Sequence, residues 1–109
     1  MKEIKAYIKT HKLNDVTQAL KKVERLRGMS VMDVRGFGRR GVNDSCYPVV
    51  DDLMDFARYT RIEIFCDDEL VDELVALIDR NACTGLRGDG KIYVSDVDIA
   101  FKIGKGKIE

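Results

Sequence analysis

The sequence predicts an α+β fold of the ferredoxin-like type, in the order β-α-β-β-α-β, with one long loop between the second and third strands. Four short segments alternate apolar and polar side chains, which is typical of strands with one buried face. Two segments between them carry apolar residues at helical spacing. Residues 38–55 follow neither period. This order is the split β-α-β pattern, in which both helices cover one face of an antiparallel sheet.

The first strand and helix are predicted from two different spacings of apolar residues. Residues 3–9 alternate, so they predict a strand. Its apolar side consists of Ile4, Ala6 and Ile8. A helix follows, with Asn14 or Asp15 as its N-cap and Gly28 as its expected end. The helical stripe consists of Val16, Ala19, Leu20, Val23 and Leu26.

The second strand, over residues 30–37, leads into the long loop at 38–55. That loop contains the only proline of the chain, Pro48, and mixes glycine with charged and small polar residues. Loops this long in small domains are usually functional or disordered. We therefore expect this segment to act in function and not in the core.

The second half of the chain repeats the strand–helix–strand order. Residues 59–66 alternate and predict the third strand, after which Asp67 or Asp68 is expected to cap the second helix. The stripe of that helix consists of Leu70, Val71, Leu74, Val75, Ile78 and Ala82. A glycine-rich turn over residues 84–90 separates it from a fourth strand, which Ile92 and Val94 mark.

One face of this predicted sheet has no helix to cover it. Tyr7, Phe65 and Tyr93 fall on or near that face by alternation. A domain of this size has a modest core and gains stability when other copies of the chain cover such a face. The sequence therefore favours an oligomer.

The composition limits the class of protein. The 109 residues suit one domain, residues 1–109, and 19 Lys and Arg balance 19 Asp and Glu, which argues against nucleic-acid binding. The three cysteines are odd in number and form no Cys-x-x-Cys pair, so no disulfide framework is predicted. Because the sequence shows neither a signal core nor an apolar run of membrane length, we expect a cytoplasmic protein.

The first candidate for chemistry is Gly36-Phe37-Gly38-Arg39-Arg40-Gly41. It matches G-x-G-x-x-G, but no helical pattern follows, so the dinucleotide-binding interpretation fails. Glycines still let backbone N–H groups approach an anion, and the arginines add positive charge. The alternative is a flexible turn with solvated arginines.

The second candidate is Thr84-Gly85-Leu86-Arg87-Gly88-Asp89-Gly90-Lys91. It imitates a P-loop from Gly85, but Ile92 replaces the Ser or Thr that would bind magnesium, and a strand follows instead of a helix. Three glycines with Arg87 and Lys91 suit phosphate oxygens. The alternative is an ordinary turn between a helix and a strand.

Other candidates have less support. Arg35-Gly36-Phe37-Gly38 begins like the RNA-binding RNP1 pattern, which Arg39 then breaks. The only histidine, His11, lies between lysines, and Cys66 and Cys83 are expected to fill the core. No Ser/His/Asp or Cys/His constellation is visible, so we expect no enzyme and assign no catalytic or metal site.

The two glycine segments together resemble the PII family of nitrogen-regulatory signal proteins. The resemblance covers nearly the whole chain, including Val34-Arg35-Gly36-Phe37-Gly38-Arg39 and Arg61-Ile62-Glu63-Ile64. The family's C-terminal signature has a threonine, three further residues, and then Gly-Asp-Gly-Lys-Ile and an aromatic residue. Thr84 and Gly88-Asp89-Gly90-Lys91-Ile92-Tyr93 fit that signature closely.

The resemblance implies a homotrimer that binds ATP or ADP, with AMP as a further candidate, in clefts between subunits. The residues expected at the phosphates are Gly36, Phe37, Gly38, Arg39, Gly88, Asp89, Gly90 and Lys91. Those expected at the adenine end are Ser30, Tyr7, Glu63 and Phe65, and Lys102 takes the place of an arginine from the neighbouring subunit. Residues 38–55 become the T-loop, which engages a membrane transporter or a metabolic enzyme.

Departures from the family pattern narrow this expectation. Arg40 stands where the family has a glutamine that serves magnesium and 2-oxoglutarate, so magnesium is left open. Tyr59 stands where the family has a lysine for the 2-oxoglutarate carboxylate, and Asp52 lies near the place of the modified tyrosine. These changes argue against 2-oxoglutarate sensing and uridylylation.

The alternative function is a metal-responsive PII-like protein. Residues 48–53 resemble the divergent group that accompanies cation or heavy-metal efflux systems. Cys46, His11 and the loop aspartates are the residues that motivate this alternative.

Overall fold

The structure is a computed structural model that describes residues 1–37 and 57–108. Within those residues the helices are α1 (Leu13–Lys21) and α2 (Val71–Ala82). The strands are β1 (Lys2–Lys9), β2 (Ser30–Gly36), β3 (Ala57–Cys66), β4 (Gly90–Asp96), β5 (Phe101–Lys102) and β6 (Gly106–Lys107). The predicted loop 38–55 lies outside the described residues.

Four of these strands form one sheet in the order β2-β3-β1-β4. Each neighbouring pair is antiparallel, with Ala6 of β1 opposite Ile62 of β3 and Ile92 of β4. The predicted α+β class, with two helices and an antiparallel sheet, is confirmed for the described chain, and the strand order is consistent with the ferredoxin-like fold.

The core lies between the helices and one face of the sheet. The alternation of β1 sends Ile4, Ala6 and Ile8 to this face, where each is at most 1% exposed. They pack with apolar residues of β3 and of both helices, including Ile62, Ile64, Val16, Leu20, Leu74 and Ile78. Burying each such side chain contributes about 1.5–3 kcal/mol to folding.

The opposite face of the sheet has no helix over it. Tyr7 and Tyr93 meet there edge to face, with ring centroids 6.0 Å apart. Phe65 and Tyr93 are each about half exposed, as the alternation predicts. We call this surface the open face.

Helix α1 is shorter than its apolar spacing predicts. It ends at Lys21, so the prediction that Gly28 ends it is wrong. The chain continues in tight turns, in which the Val23 N–H donates to the Leu20 carbonyl at 3.0 Å and the Leu26 N–H to the Val23 carbonyl at 3.1 Å. Val23 and Leu26 still pack against the core, because successive turns of about three residues keep the same side facing inward.

The helix starts also differ from the predicted caps. Helix α1 begins at Leu13 after a 3₁₀ turn, with Lys12 in the N-cap position, so the prediction of Asn14 or Asp15 is wrong. Asp15 lies in the first turn and pairs with Lys12 at 3.0 Å. Asp67 precedes the 3₁₀ turn that leads into α2, but its side chain makes no capping hydrogen bond. Among the described residues, no helix is long and apolar enough to cross a membrane.

Glycine 90 allows β4 to lie directly against β1. Its φ is +113°, a conformation that other residues rarely adopt. A Cβ at this position would lie 1.7 Å from the Tyr7 carbonyl oxygen and 2.8 Å from its carbon. Both atoms belong to the backbone, which cannot move without breaking the β1–β4 pairing.

We predict that Gly90→Ala lowers the free energy of unfolding by about 3 kcal/mol or more, because the clash and the positive φ add. Urea denaturation at a fixed protein concentration measures this change. Gly28→Ala is the matched control, since a Cβ there meets nothing within 4 Å and φ is not positive. It should change stability by less than about 1 kcal/mol. Equal effects of the two substitutions would contradict this account of Gly90.

Candidate phosphate-binding turn

The segment between α2 and β4, residues 84–91, folds into a turn whose backbone depends on glycine. Gly85 and Gly88 both have φ of +78°. A Cβ added at Gly85 would meet nothing within 4 Å, so this part of the turn is open to its surroundings. Such left-handed positions expose backbone N–H groups on one side of a turn, where an anion can accept from them. We call this segment the 84–91 turn.

Asp89 holds the turn closed from within. Its carboxylate accepts hydrogen bonds from the Thr84 N–H at 2.9 Å and from the Thr84 hydroxyl at 2.5 Å. Lys9 of β1 lies 3.2 Å from both Asp89 Oδ1 and Thr84 Oγ1. The carboxylate is thus occupied by the protein's own donors.

The same contacts set the protonation state of Asp89. Partial burial raises the pKa of this carboxyl, but hydrogen bonds from the Thr84 hydroxyl and N–H and from Lys9 outweigh it. The net result is a pKa lowered from 3.8 to about 2. Asp89 is therefore ionised throughout the physiological range, and the turn keeps its internal anchor.

Tyr59 provides a second anchor from the opposite side. It is 7% exposed, and its hydroxyl donates to the Gly88 carbonyl at 3.1 Å. Tyr59 pairs with Val34 of β2 and with Lys9 of β1, so it connects the turn to the middle of the sheet. Sequence reasoning identified Tyr59 only as a departure from a family pattern, and no local signal indicates this long-range bond.

Lys91 brings positive charge to the edge of the turn. It lies opposite Tyr7 in the β1–β4 pairing, and both line a depression of about 300 Å³ together with Asp89 and Gly90. Lys91 is exposed and forms no ion pair with any described residue. The structure thus brings Tyr7, which was predicted at the adenine end, together with Asp89, Gly90 and Lys91, which were predicted at the phosphates, and Gly88 lies next to them in the turn.

The first glycine segment lies at the same end of the sheet but on its other edge. Gly36 ends β2 opposite Ala57, and Phe37 is largely exposed, whereas Gly38 and Arg39 lie outside the described residues. Because β2 and β4 are the outer strands, about 14 Å of sheet separates their axes. The side chain of Tyr59 spans part of this distance, because Tyr59 lies on β3, the neighbour of β2, and its hydroxyl contacts Gly88.

Apart from Tyr7, the residues predicted at the adenine end lie outside the depression beside Lys91. Ser30 and Glu63 face each other in the β2–β3 pairing, and Phe65 follows on the same open face. Along β2, Ser30 is six residues from Gly36, which is about 20 Å. Lys102 belongs to the β5–β6 hairpin, an element that the sequence did not predict. The depression beside Lys91 is therefore lined by Tyr7 but not by Ser30, Glu63 or Phe65.

The described residues do not support the metal-responsive alternative. Among them, no three His, Cys, Asp or Glu side chains come together as a metal ion would require. Cys46 and the loop aspartates lie outside the described part of the chain. Cys66 is buried, as expected, but Cys83 is exposed, so the prediction that it fills the core is wrong.

The chain is similar to a family of known proteins over almost all its length. The sequence model of the family described as nitrogen regulatory protein P-II matches residues 1–107. Nitrogen regulatory protein P-II 1 of Escherichia coli K12 is 43% identical over 107 residues, which cover 98% of this chain and 95% of that protein. The P-II protein of Klebsiella oxytoca has the same identity and coverage, and that of Bradyrhizobium diazoefficiens is 40% identical.

We predict that Asp89 contributes stability that acid removes. Because its folded pKa is lowered to about 2, the contribution is complete above the ordinary value of 3.8 and declines as the pH falls toward 2. Asp89→Asn should cost about 1–2 kcal/mol at pH 7, after allowance for solvent screening, and progressively less below pH 4. Urea denaturation from pH 2 to pH 7 measures this, with Asp98→Asn as an exposed-carboxylate control. A cost for Asp89→Asn that does not change with pH would contradict the assignment.

Proposed function

Because the chain belongs to the nitrogen regulatory protein P-II family, whose members are regulators of signal transduction, we propose that it senses adenine nucleotides. ATP, ADP or AMP would bind in clefts between the subunits of a homotrimer. The bound nucleotide would then control how the T-loop, residues 38–55, engages a partner protein. The observation that carries this proposal is the 84–91 turn, which is anchored from within and presents Lys91 without a carboxylate partner among the described residues.

The chemistry of the 84–91 turn fits a phosphate group. Backbone N–H groups between left-handed glycines and an exposed ammonium group are the donors that phosphate oxygens accept. The only carboxylate within the turn, Asp89, is turned toward Thr84 and Lys9, so its charge is already paired. A nucleotide phosphate would therefore meet donors and not an unpaired negative charge.

Clefts between subunits agree with the open face of the sheet, which no helix of the described chain covers. Ser30 and Glu63 belong to that face and lie level with Tyr93, two residues or about 7 Å along β4 from Lys91. The open face, with half-exposed Phe65 and Tyr93, supplies apolar surface that such an assembly would cover.

Tyr59 supports regulation without 2-oxoglutarate. Its hydroxyl is committed to the Gly88 carbonyl, and a tyrosine brings no positive charge to a dicarboxylate. Arg40, which stands where the family has a glutamine that serves magnesium, lies outside the described residues. This proposal therefore does not specify whether magnesium accompanies the nucleotide. Family membership supports a regulator and not an enzyme, acting in the cytoplasm on a transporter or a metabolic enzyme and not on nucleic acid.

The metal-responsive alternative is not supported. The relatives found by comparison are named nitrogen regulatory proteins, and none of those cited is named for a metal or an efflux system. The described residues also offer no cluster of metal ligands.

We predict that Lys91→Ala weakens ATP binding about 10- to 100-fold, because a charge-assisted phosphate contact is worth about 1.5–3 kcal/mol. Isothermal calorimetry with ATP, ADP and AMP measures the affinities. Lys21→Ala, an exposed cation at the end of α1, is the control and should bind like the unaltered chain. No binding of any of the three nucleotides by the unaltered chain would refute the proposed function, and unchanged affinity of Lys91→Ala would refute the role of Lys91.

Mixed assemblies test whether two chains share a cleft. Lys91→Ala and Glu63→Ala should each bind ATP weakly as pure proteins. When the two variants carry different tags and are co-expressed, every mixed trimer should contain one cleft with both residues intact. Calorimetry on trimers purified by both tags should then recover one tight site. Two differently tagged copies of Lys91→Ala serve as the control, and a mixed assembly without any tight site would contradict clefts between subunits.

A further inference from the structure

The hydrogen bond from Tyr59 to Gly88 is buried and spans two parts of the fold that are distant in sequence. The tyrosine ring is 7% exposed, and the hydroxyl lies 3.1 Å from the carbonyl oxygen. A buried hydrogen bond restrains its partners more strongly than an exposed one, because no water competes for the acceptor. The Gly88 carbonyl is thus fixed relative to β3.

Fixing this carbonyl also fixes the next backbone donor. No peptide bond among the described residues is cis, so the Gly88–Asp89 peptide is trans and planar. In a trans peptide the C=O and the following N–H point in opposite directions. Since the Gly88 carbonyl points at Tyr59, the Asp89 N–H points away from it.

The orientation of this peptide would otherwise be free to change. Glycine adopts positive and negative φ with similar ease, so the peptide beside Gly88 can rotate at little cost. Thr84 and Lys9 hold the Asp89 side chain, and Gly90 is held against Tyr7, but these contacts act on other groups. Among the contacts of the described residues, the Tyr59 hydroxyl is the group that holds the Gly88 carbonyl.

We propose that Tyr59 is a positioning residue that aims the Asp89 backbone N–H at the phosphate groups of a bound nucleotide. This inference rests on the proposed function, because it assumes that the 84–91 turn receives phosphate. Tyr59 does not touch the ligand in this account. It acts through the Gly88–Asp89 peptide, and its effect is confined to ligands that carry phosphate.

The test is Tyr59→Phe, which removes the hydroxyl and keeps the buried ring. Calorimetry should show ATP affinity weakened about three- to tenfold, the range of one neutral hydrogen bond, with adenosine affinity unchanged. Thr60→Val is the matched control, because it removes a buried hydroxyl from the adjacent residue of β3 that bonds to Thr10 and not to the 84–91 turn. It should leave the ratio of ATP to adenosine affinity as in the unaltered chain.

A spectroscopic measurement on the unaltered chain tests the same inference when Tyr59→Phe fails to fold. The Asp89 amide signal in NMR should shift on addition of ATP and not on addition of adenosine. In Tyr59→Phe that shift should shrink. The inference would be overturned if Tyr59→Phe weakened the affinities for ATP and adenosine equally or left the ATP affinity unchanged. It would also be overturned if the Asp89 signal of the unaltered chain did not shift on addition of ATP. Failure of the proposed function can be distinguished from failure of this inference, because in the first case the unaltered chain would bind no ATP at all.

Discussion

The alternation of side chains along β1 is the constraint on which the rest of the structure depends. Ile4, Ala6 and Ile8 are buried beneath both helices, and a strand period of two then places Tyr7 and Lys9 on the open face. Strand β1 pairs with both β3 and β4 along nearly its full length, so its register determines which side chains of β3 and β4 lie on each face of the sheet. This register brings Lys9 to Asp89 and Tyr7 to Lys91.

The 84–91 turn is organised by the protein before any ligand arrives. Thr84 and Lys9 occupy the carboxylate of Asp89, and Tyr59 occupies the carbonyl of Gly88. A site that is ordered in advance loses less conformational entropy on binding, so more of each contact appears as affinity. The same anchors connect the turn to β1 and β3, which makes its geometry a property of the whole sheet and not of the glycines alone.

The strands and the glycine-dependent turn could be predicted from the sequence, because alternation of side chains and the positions of glycine both depend on local backbone geometry. The four strands of the main sheet appear where alternation placed them, and Gly85, Gly88 and Gly90 adopt the positive φ that glycine allows. The end of α1 was mispredicted, since tight turns keep Val23 inward as a helix would. The anchoring bond of Tyr59 was also missed, because only the register of β3 brings residues so distant in sequence together.

A crystal structure of the chain with ATP tests the central claim most directly. The account predicts that the phosphates contact Lys91 and the Asp89 N–H of one chain, while the adenine lies near Ser30 and Glu63 of another. The Tyr59 hydroxyl should still contact the Gly88 carbonyl in that complex. Phosphates bound away from the 84–91 turn, or a nucleotide contacted by one chain alone, would contradict it.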